Sequence, residues 1–366
     1  MKSNHSKQAL VSVVVPVFNG ERYLCESLDS ILAQTYPHLE ILVMDDASTD
    51  RTPEIIASYG GRVQHHRQPQ NRGIYANAND GIARARGDYV AVYHADDIYE
   101  PAIVEREVRF LERYPEAGAV FCSDIFIDPE GREEGRLRLP PEVRGGRPLP
   151  YAVVFNALLK YRNPFLRCPS SMVRASVYRD VGVYRQERFR NTSDIDMWLR
   201  IGQKYPMGIL EEHLFRYRYG HGNSAQRYHA TRTDMERFFV IMDLYLNEGG
   251  HRLAQAAALR EYEAHRAQDA LLCTINAYLQ GRMDTARAAL RRARIANLIR
   301  GTVVERWRLL ALWCGLHVLV RLPRLSPAAR LMSWRWRGRG RRKRGTMGPP
   351  AGEPSPPPNI EQNLAL

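Results

Sequence analysis

Between Leu10 and Ile127, short β-branched apolar runs alternate with stretches whose apolar residues recur at helical spacing, and few architectures accommodate that alternation. Leu10–Phe18 and Leu39–Met44 are apolar runs of strand length; Val63–Arg67, Asp88–Tyr93 and Ala117–Ile127 supply three more. Between them, Glu21–Gln34, Thr52–Tyr59, Tyr75–Ala85 and Pro101–Tyr114 space their apolar residues as helices do. Strands alternating with helices build βαβ units, hence an α/β fold with a Rossmann-like, mostly parallel sheet and helices on both faces. In such sheets ligands collect beyond the carboxyl ends of the strands. Two acidic pairs stand there: Asp45-Asp46 after the second run and Asp96-Asp97 after a later one.

Beyond this region, Pro129–Pro150 is rich in Pro, Gly and Arg and reads as a surface loop. Cys168–Val173 reads as a strand, Ala175–Val181 and Asp194–Lys204 as helices, Met207–Tyr219 as extended chain, and Arg227–Asn247 as a helix. Residues 252–299, rich in Ala, Leu and Arg, form two or three more helices, a C-terminal helical extension. These readings divide the chain into an α/β body over 1–225, an extension over 226–300, an amphipathic basic segment over 301–344 and a disordered tail over 345–366.

Charge is segregated along the chain. Residues 1–281 carry 35 Lys and Arg against 36 Asp and Glu, whereas 282–344 carry 18 against 2. A basic block with Trp307, Trp334 and Trp336 suits the headgroup region of an anionic membrane, an expected contact for 303–344; nucleic acid is the lesser reading. The apolar part of Val303–Leu322 is shorter than the ~20 residues a spanning helix needs. Five scattered cysteines without C-x-x-C spacing fit a reducing compartment, and the polar run Met1–Gln8 is wrongly flanked for a signal peptide. The expected location is cytoplasmic, peripheral on the inner face of the membrane.

Paired carboxylates at strand ends can hold a divalent cation, which in turn holds a diphosphate. A third acidic pair, Asp194 and Asp196, opens a later helix. Single Asp residues also cap helices and begin loops, so it is the joint occurrence that carries weight.

Seven segments in order resemble the family 2 inverting glycosyltransferases of GT-A fold over roughly residues 10–225. They are V-S-V-V-V-P-V-F-N-G at 11–20, S-I-L-A-Q-T-Y-P at 30–37, M-D-D-A-S-T-D at 44–50, N-R-G at 71–73, A-R-G-D-Y-V at 85–90, A-D-D-I-Y-E-P at 95–101 and S-D-I-D-M-W-L-R at 193–200. The resemblance implies a nucleotide-diphospho-sugar donor, a glycan or lipid-linked acceptor, and Mg²⁺ or Mn²⁺. Pro16, Phe18 and Asn19 would line the base pocket, and Asp46, with Asp45 beside it, would accept from the base N–H. Arg72 and Gly73 would lie near nucleotide and sugar, Asp96 would meet ribose or sugar, and Asp97 would bind the metal. The family's usual D-A-D-D begins here with His94. Asp194 aligns with the catalytic base, and Asp196 is its rival.

The segment Tyr217–Ser224 is similar to the family's stretch near the donor diphosphate, which points Arg218 or His221 at phosphate or metal. Ser170 and Ser171 fit an acceptor-side strand, while Trp198 suits core packing better than acceptor contact. A non-catalytic nucleotide-sugar-binding or membrane-attached scaffold of the same fold is the alternative. Asp46, Asp97 and Asp194 together favour the enzyme.

Overall fold

The structure is a computed structural model that describes residues 8–220, 231–300 and 306–321. Nine strands form one sheet: β1 (Val11–Val17), β2 (Leu39–Asp45), β3 (Gln64–Arg67), β4 (Tyr89–Val92), β5 (Ile98–Tyr99), β6 (Ala119–Ile127), β7 (Glu133–Arg136), β8 (Ser171–Arg174) and β9 (Met207–Arg218). Their order is β3-β2-β1-β4-β8-β6-β9-β5, with β7 paired to β6. β3, β2, β1 and β4 are mutually parallel, as are β6 and β9; β8, β7 and β5 run against their neighbours. The α/β class follows the sequence expectation, and the sheet is mixed: six strands run one way, while β8, β7 and β5 run the other.

Helices cover both faces: α1 (Leu24–Leu32), α2 (Thr52–Ser58), α3 (Ile74–Arg84), α4 (Ile103–Arg113), α5 (Tyr151–Tyr161), α6 (Ala175–Val181), α7 (Gln186–Phe189) and α8 (Ser193–Lys204). Side-chain alternation along a strand sorts the core. Val11, Val13, Val15, Ile41 and Val43 face α1, α2 and α4, while Val14, Leu42 and Met44 face α3, α5 and α8. Pro16 is tolerated in this central strand because its nitrogen points toward β4, whose pairing with β1 has already ended at Val14. At Gly81 of α3 an added Cβ would lie 2.3 Å from Val14 Cγ1, so the helix sits hard against β1.

The extension comprises α9 (Arg237–Asn247), α10 (Ala256–Leu279), α11 (Met283–Arg292), α12 (Ile295–Arg300) and α13 (Arg306–Leu319). Two sequence readings need correction here. Pro129–Pro150 is not merely a surface loop: it contributes β7 and buries Leu137, Leu139, Val143 and Leu149, because apolar residues spaced among its Pro and Gly residues reach the core. α9 begins at Arg237 rather than Arg227; residues 221–230 lie outside the described ones.

The apolar side of α13 is also largely spent inside the protein. Leu309, Leu312, Leu316 and Leu319 are buried in a third core against α10, α11 and α12, which leaves Trp307 at 84% exposure and Val318 at 52%. No helix among the described residues is long and apolar enough to cross a membrane. Of the basic segment read as 303–344, residues 322–344, including Trp334 and Trp336, lie outside the described residues, as does the tail.

Candidate active site

The loops after β1 and β2 are stitched together at the carboxyl edge of the sheet. Asn19 Oδ1 accepts from the Thr49 amide at 2.8 Å, the Asn19 amide donates to Ser48 Oγ at 3.0 Å, and the Gly20 amide to Thr52 Oγ1 at 2.8 Å. Asn19 and Ala47 both sit at positive φ, 51° and 62°. Such backbone persists where surrounding bonds over-determine it, as they do here. Phe18 stands 48% exposed at this rim, whereas Pro16 is buried in its strand.

The two aspartates of the second loop have different partners. Asp45 is fully buried; its Oδ1 accepts from the Ser48 amide at 2.8 Å, and its Oδ2 lies 3.6 Å from Arg67 Nε and from His65 Nε2. Asp46 accepts the Arg72 amide on one oxygen and the Gly73 amide on the other, both at 2.8 Å. It thereby fixes the first turn of α3. Gly73, at φ 87°, is pressed to within 2.5 Å of Gln186 Nε2 at the position a Cβ would occupy, so another residue there would be strained and crowded. The Arg72 side chain is exposed and pairs with Asp80 at 2.5 Å.

In the same first turn of α3 is buried Tyr75, which lies beside the Asp194 carboxyl and lowers its proton affinity. Asp194 lies in the first turn of α8 and accepts from the Ile195 amide at 2.9 Å. Burial pushes its carboxyl up to about 6, against the lowering effect of the Ile195 amide, Tyr75 and Arg167.

Past β4, one ligand atom each of His94, Asp96 and Asp97 lies within 4.8 Å of the others, the cluster of metal-binding type found among the described residues. Asp97 is buried. Its Oδ1 accepts the Arg218 amide at 2.8 Å, and its Oδ2 has no hydrogen-bond partner. Burial, then the charge of Asp96, hold its carboxyl well above the usual range. A buried, partnerless carboxylate oxygen beside a second carboxylate is costly without a counter-charge, so these residues fit a divalent cation. His94 Nε2 is likewise buried and unpartnered, and burial lowers its proton affinity.

Arg167 joins the two halves. It forms an ion pair with buried Asp124 at 2.7 Å, stacks over Tyr217 at 4.4 Å, and acts electrostatically on both Asp97 and Asp194. Neither Arg167 nor Tyr75 belongs to a motif. Their signals were a lone Arg before the Cys-Pro-Ser-Ser stretch and a Tyr two residues after Gly73, both too common in isolation.

Several residues singled out in the sequence have other work. Asp196 is buried on another side of α8, accepting from Arg200 Nε and Tyr245 Oη, each at 2.9 Å, so it anchors α8 to α9 and shares none of the partners of Asp194. Trp198 is core, edge-on to Phe121 and Tyr184. Ser170 and Ser171 are buried, donating to the Arg167 carbonyl at 3.1 Å and the Cys168 carbonyl at 2.7 Å; they shape the turn that presents Arg167. Arg218 is almost wholly enclosed. Its donors go to the carbonyls of Asp96, Asp128 and Pro129 and to the Glu26 carboxylate, so it braces the 94–97 loop instead of facing a phosphate. His221 lies outside the described residues.

Residues 12–182 match the family model for glycosyl transferase family 2. The chain is 35% identical over 214 residues to the "Putative glycosyltransferase EpsE" of Bacillus subtilis, spanning 57% of this chain and 72% of EpsE. It is 31% identical over 220 residues to an uncharacterized glycosyltransferase of Haemophilus influenzae, spanning 59% and 67%. Crystal structures of S. aureus TarS 1–349 share the fold; the one in complex with UDP-GlcNAc superposes with a TM-score of 0.56 at 15% identity, covering 90% of this chain and 92% of that one. Sheet, helices and rim define a GT-A type transferase. The chain belongs to glycosyltransferase family 2.

The different surroundings of the two α8 aspartates predict opposite stability effects. Asp196→Ala leaves Arg200 buried without its anion and should lower unfolding free energy by about 3–5 kcal/mol, read as the urea midpoint. Asp194→Asn removes a desolvated carboxylate. Because the folded carboxyl titrates near 6 instead of 3.8, its destabilisation grows as pH rises through that window and is complete above it. Above pH 6 the Asn variant should therefore melt no lower than the parent, and destabilisation equal to that of Asp196→Ala would refute the distinction.

Proposed function

We propose that this glycosyltransferase moves a sugar from a nucleotide-diphospho-sugar to a hydroxyl of a glycan or lipid-linked acceptor in one inverting displacement, with Asp194 as base. The observation that carries the reading is the setting of Asp194: a part-buried carboxylate beside Tyr75, with a proton affinity near neutrality and within the field of the arginine that also acts on Asp97. A general base is most effective when its pKa lies near the working pH.

In this reading the exposed Phe18 ring packs on the nucleobase, and Asn19 holds the loop that presents it. Asp46 keeps lone pairs beyond those bonded to the Arg72 and Gly73 amides, and one of them accepts from the base N–H. The Arg72–Gly73 turn borders the nucleotide, and Asp96 meets the ribose or sugar. Asp97 would hold Mg²⁺ or Mn²⁺, which when bound supplies positive charge against the leaving diphosphate. TarS, a structural neighbour, has been solved with UDP-GlcNAc, in keeping with a donor of this class.

The step balances simply. The acceptor oxygen forms a bond to the anomeric carbon as the bond from that carbon to the diphosphate breaks; the electron pair leaves with the nucleoside diphosphate. The hydroxyl proton passes to the Asp194 carboxylate. Attack opposite the leaving group inverts the anomeric centre.

Contact with an anionic membrane remains the reading for the basic C-terminal segment, and it would suit a lipid-linked acceptor. With the leucines of α13 buried, Trp307 and the cations from Arg321 onward carry this idea more than α13 as a whole does.

Asp194→Asn should lower kcat by about 10²–10⁴-fold while donor binding, followed by thermal shift across a panel of nucleotide sugars, is retained. For the parent enzyme, kcat/KM should fall about tenfold per pH unit below pH 6, since only the deprotonated carboxylate accepts the proton. Undiminished transfer by the Asn variant contradicts Asp194 as base. A chain ending at Arg321, which keeps the α13 core, should float with liposomes containing phosphatidylglycerol less than the full chain does. Equal flotation would remove the C-terminal segment from membrane contact.

A further inference from the structure

We propose that His94 coordinates the cation through Nε2, making this an N,O-ligand site that favours Mn²⁺ over Mg²⁺. The inference rests on the reading that Asp97 holds a cation and adds the nature of the ligand set.

The geometry is permissive. Donor atoms on opposite sides of a divalent ion, each about 2.0–2.4 Å from it, lie about 4–5 Å apart. The chosen atoms of His94, Asp96 and Asp97 all fall within 4.8 Å of one another. Two side chains of this cluster carry an atom that calls for a partner: His94 Nε2 and Asp97 Oδ2 are both buried with no hydrogen bond, on a residue pair three apart in one turn. Orphaned buried polar atoms are rare in folded proteins, and two on side chains whose ligand atoms gather within 4.8 Å point to a common ligand.

The backbone beneath the imidazole is held from several directions. The His94 amide donates to Tyr99 Oη at 2.6 Å, and the His94 carbonyl accepts from Tyr99 Oη at 3.2 Å and from Ser27 Oγ at 3.1 Å. Tyr99 is itself stacked on Tyr93 with ring centroids 4.0 Å apart. That support aims a side chain, which a solvated loop histidine would not need.

The consequence for the metal follows from ligand type. Mg²⁺ prefers an all-oxygen shell and gives up water reluctantly, whereas imidazole nitrogen suits transition ions. A carboxylate at position 94 would offer oxygen; this chain offers nitrogen.

Mn²⁺ titration of the full chain, with and without UDP, followed by electron paramagnetic resonance, tests this without any turnover. Bound Mn²⁺ should show electron spin-echo modulation from a directly coordinated ¹⁴N and should bind at least about tenfold more tightly than Mg²⁺. His94→Asp should retain Mn²⁺, lose the nitrogen modulation and narrow the preference over Mg²⁺; His94→Asn carries the same expectation for the modulation if the Asp variant folds poorly. Mn²⁺ bound without nitrogen modulation in the parent overturns the inference and leaves the cation reading standing. Modulation that survives in both variants assigns the nitrogen to another histidine and overturns it equally. Failure of the parent to bind Mn²⁺ with or without UDP rejects the cation reading itself.

Discussion

Asp97, Asp124 and Asp194 come from three separate parts of the chain, and burial works against the charge of each. What lets them share one region is Arg167: its guanidinium pairs with Asp124 at 2.7 Å, stacks on Tyr217, and lowers the proton affinity of all three carboxyls. Like charges gathered out of water repel and lose hydration, and one enclosed cation offsets both effects without filling the cleft. The rest of the rim is arranged around this balance. Asp46 pins the first turn of α3, that turn presents Tyr75, and Tyr75 lies beside Asp194, so the loop after β2 and the start of α8 are connected through a single helix. Asn79 on the same helix donates to the Tyr184 carbonyl and accepts from the Tyr184 amide, tying α3 to the approach to α7 and α8.

Sequence alone revealed the sheet, because a period of two in Val11–Val17 and a period near 3.6 in the helices are local properties. It also revealed which acidic residues lie at strand ends, since each cluster directly follows an apolar run. The choice between Asp194 and Asp196 is local too: two residues apart on a helix, they point in different directions, one toward Tyr75 and one to Arg200 and Tyr245. What stayed illegible was tertiary. Arg167 and Tyr75 matter through partners far away in the chain, and nothing in their neighbours announces it. Arg218 misled for the same reason. Its motif points to a phosphate, but the folded loop at 94–97 and the carbonyls of 128–129 take its donors first. The leucines of α13 looked available to lipid because sequence does not reveal that α10, α11 and α12 already cover them.

Charge is partitioned with the architecture. The sheet domain is nearly neutral in total, so its acidic cluster is a local field countered by Arg167, while the excess cations lie from residue 282 onward. A neutral body carrying a basic appendage keeps the local acidic field of the rim apart from the excess positive charge, in the way the proposed anionic donor and anionic surface would require.

The convergence of the carboxylates is tested most directly by crystals grown with Mn²⁺ and a non-hydrolysable nucleotide-diphospho-sugar, with the ion located by its anomalous scattering. The account predicts one peak about 2.0–2.6 Å from Asp97 Oδ2 and touching the diphosphate, with the Asp194 carboxylate facing the anomeric carbon from the side opposite the leaving group. An ion bound away from Asp97, or a donor whose anomeric carbon faces away from Asp194, would contradict it.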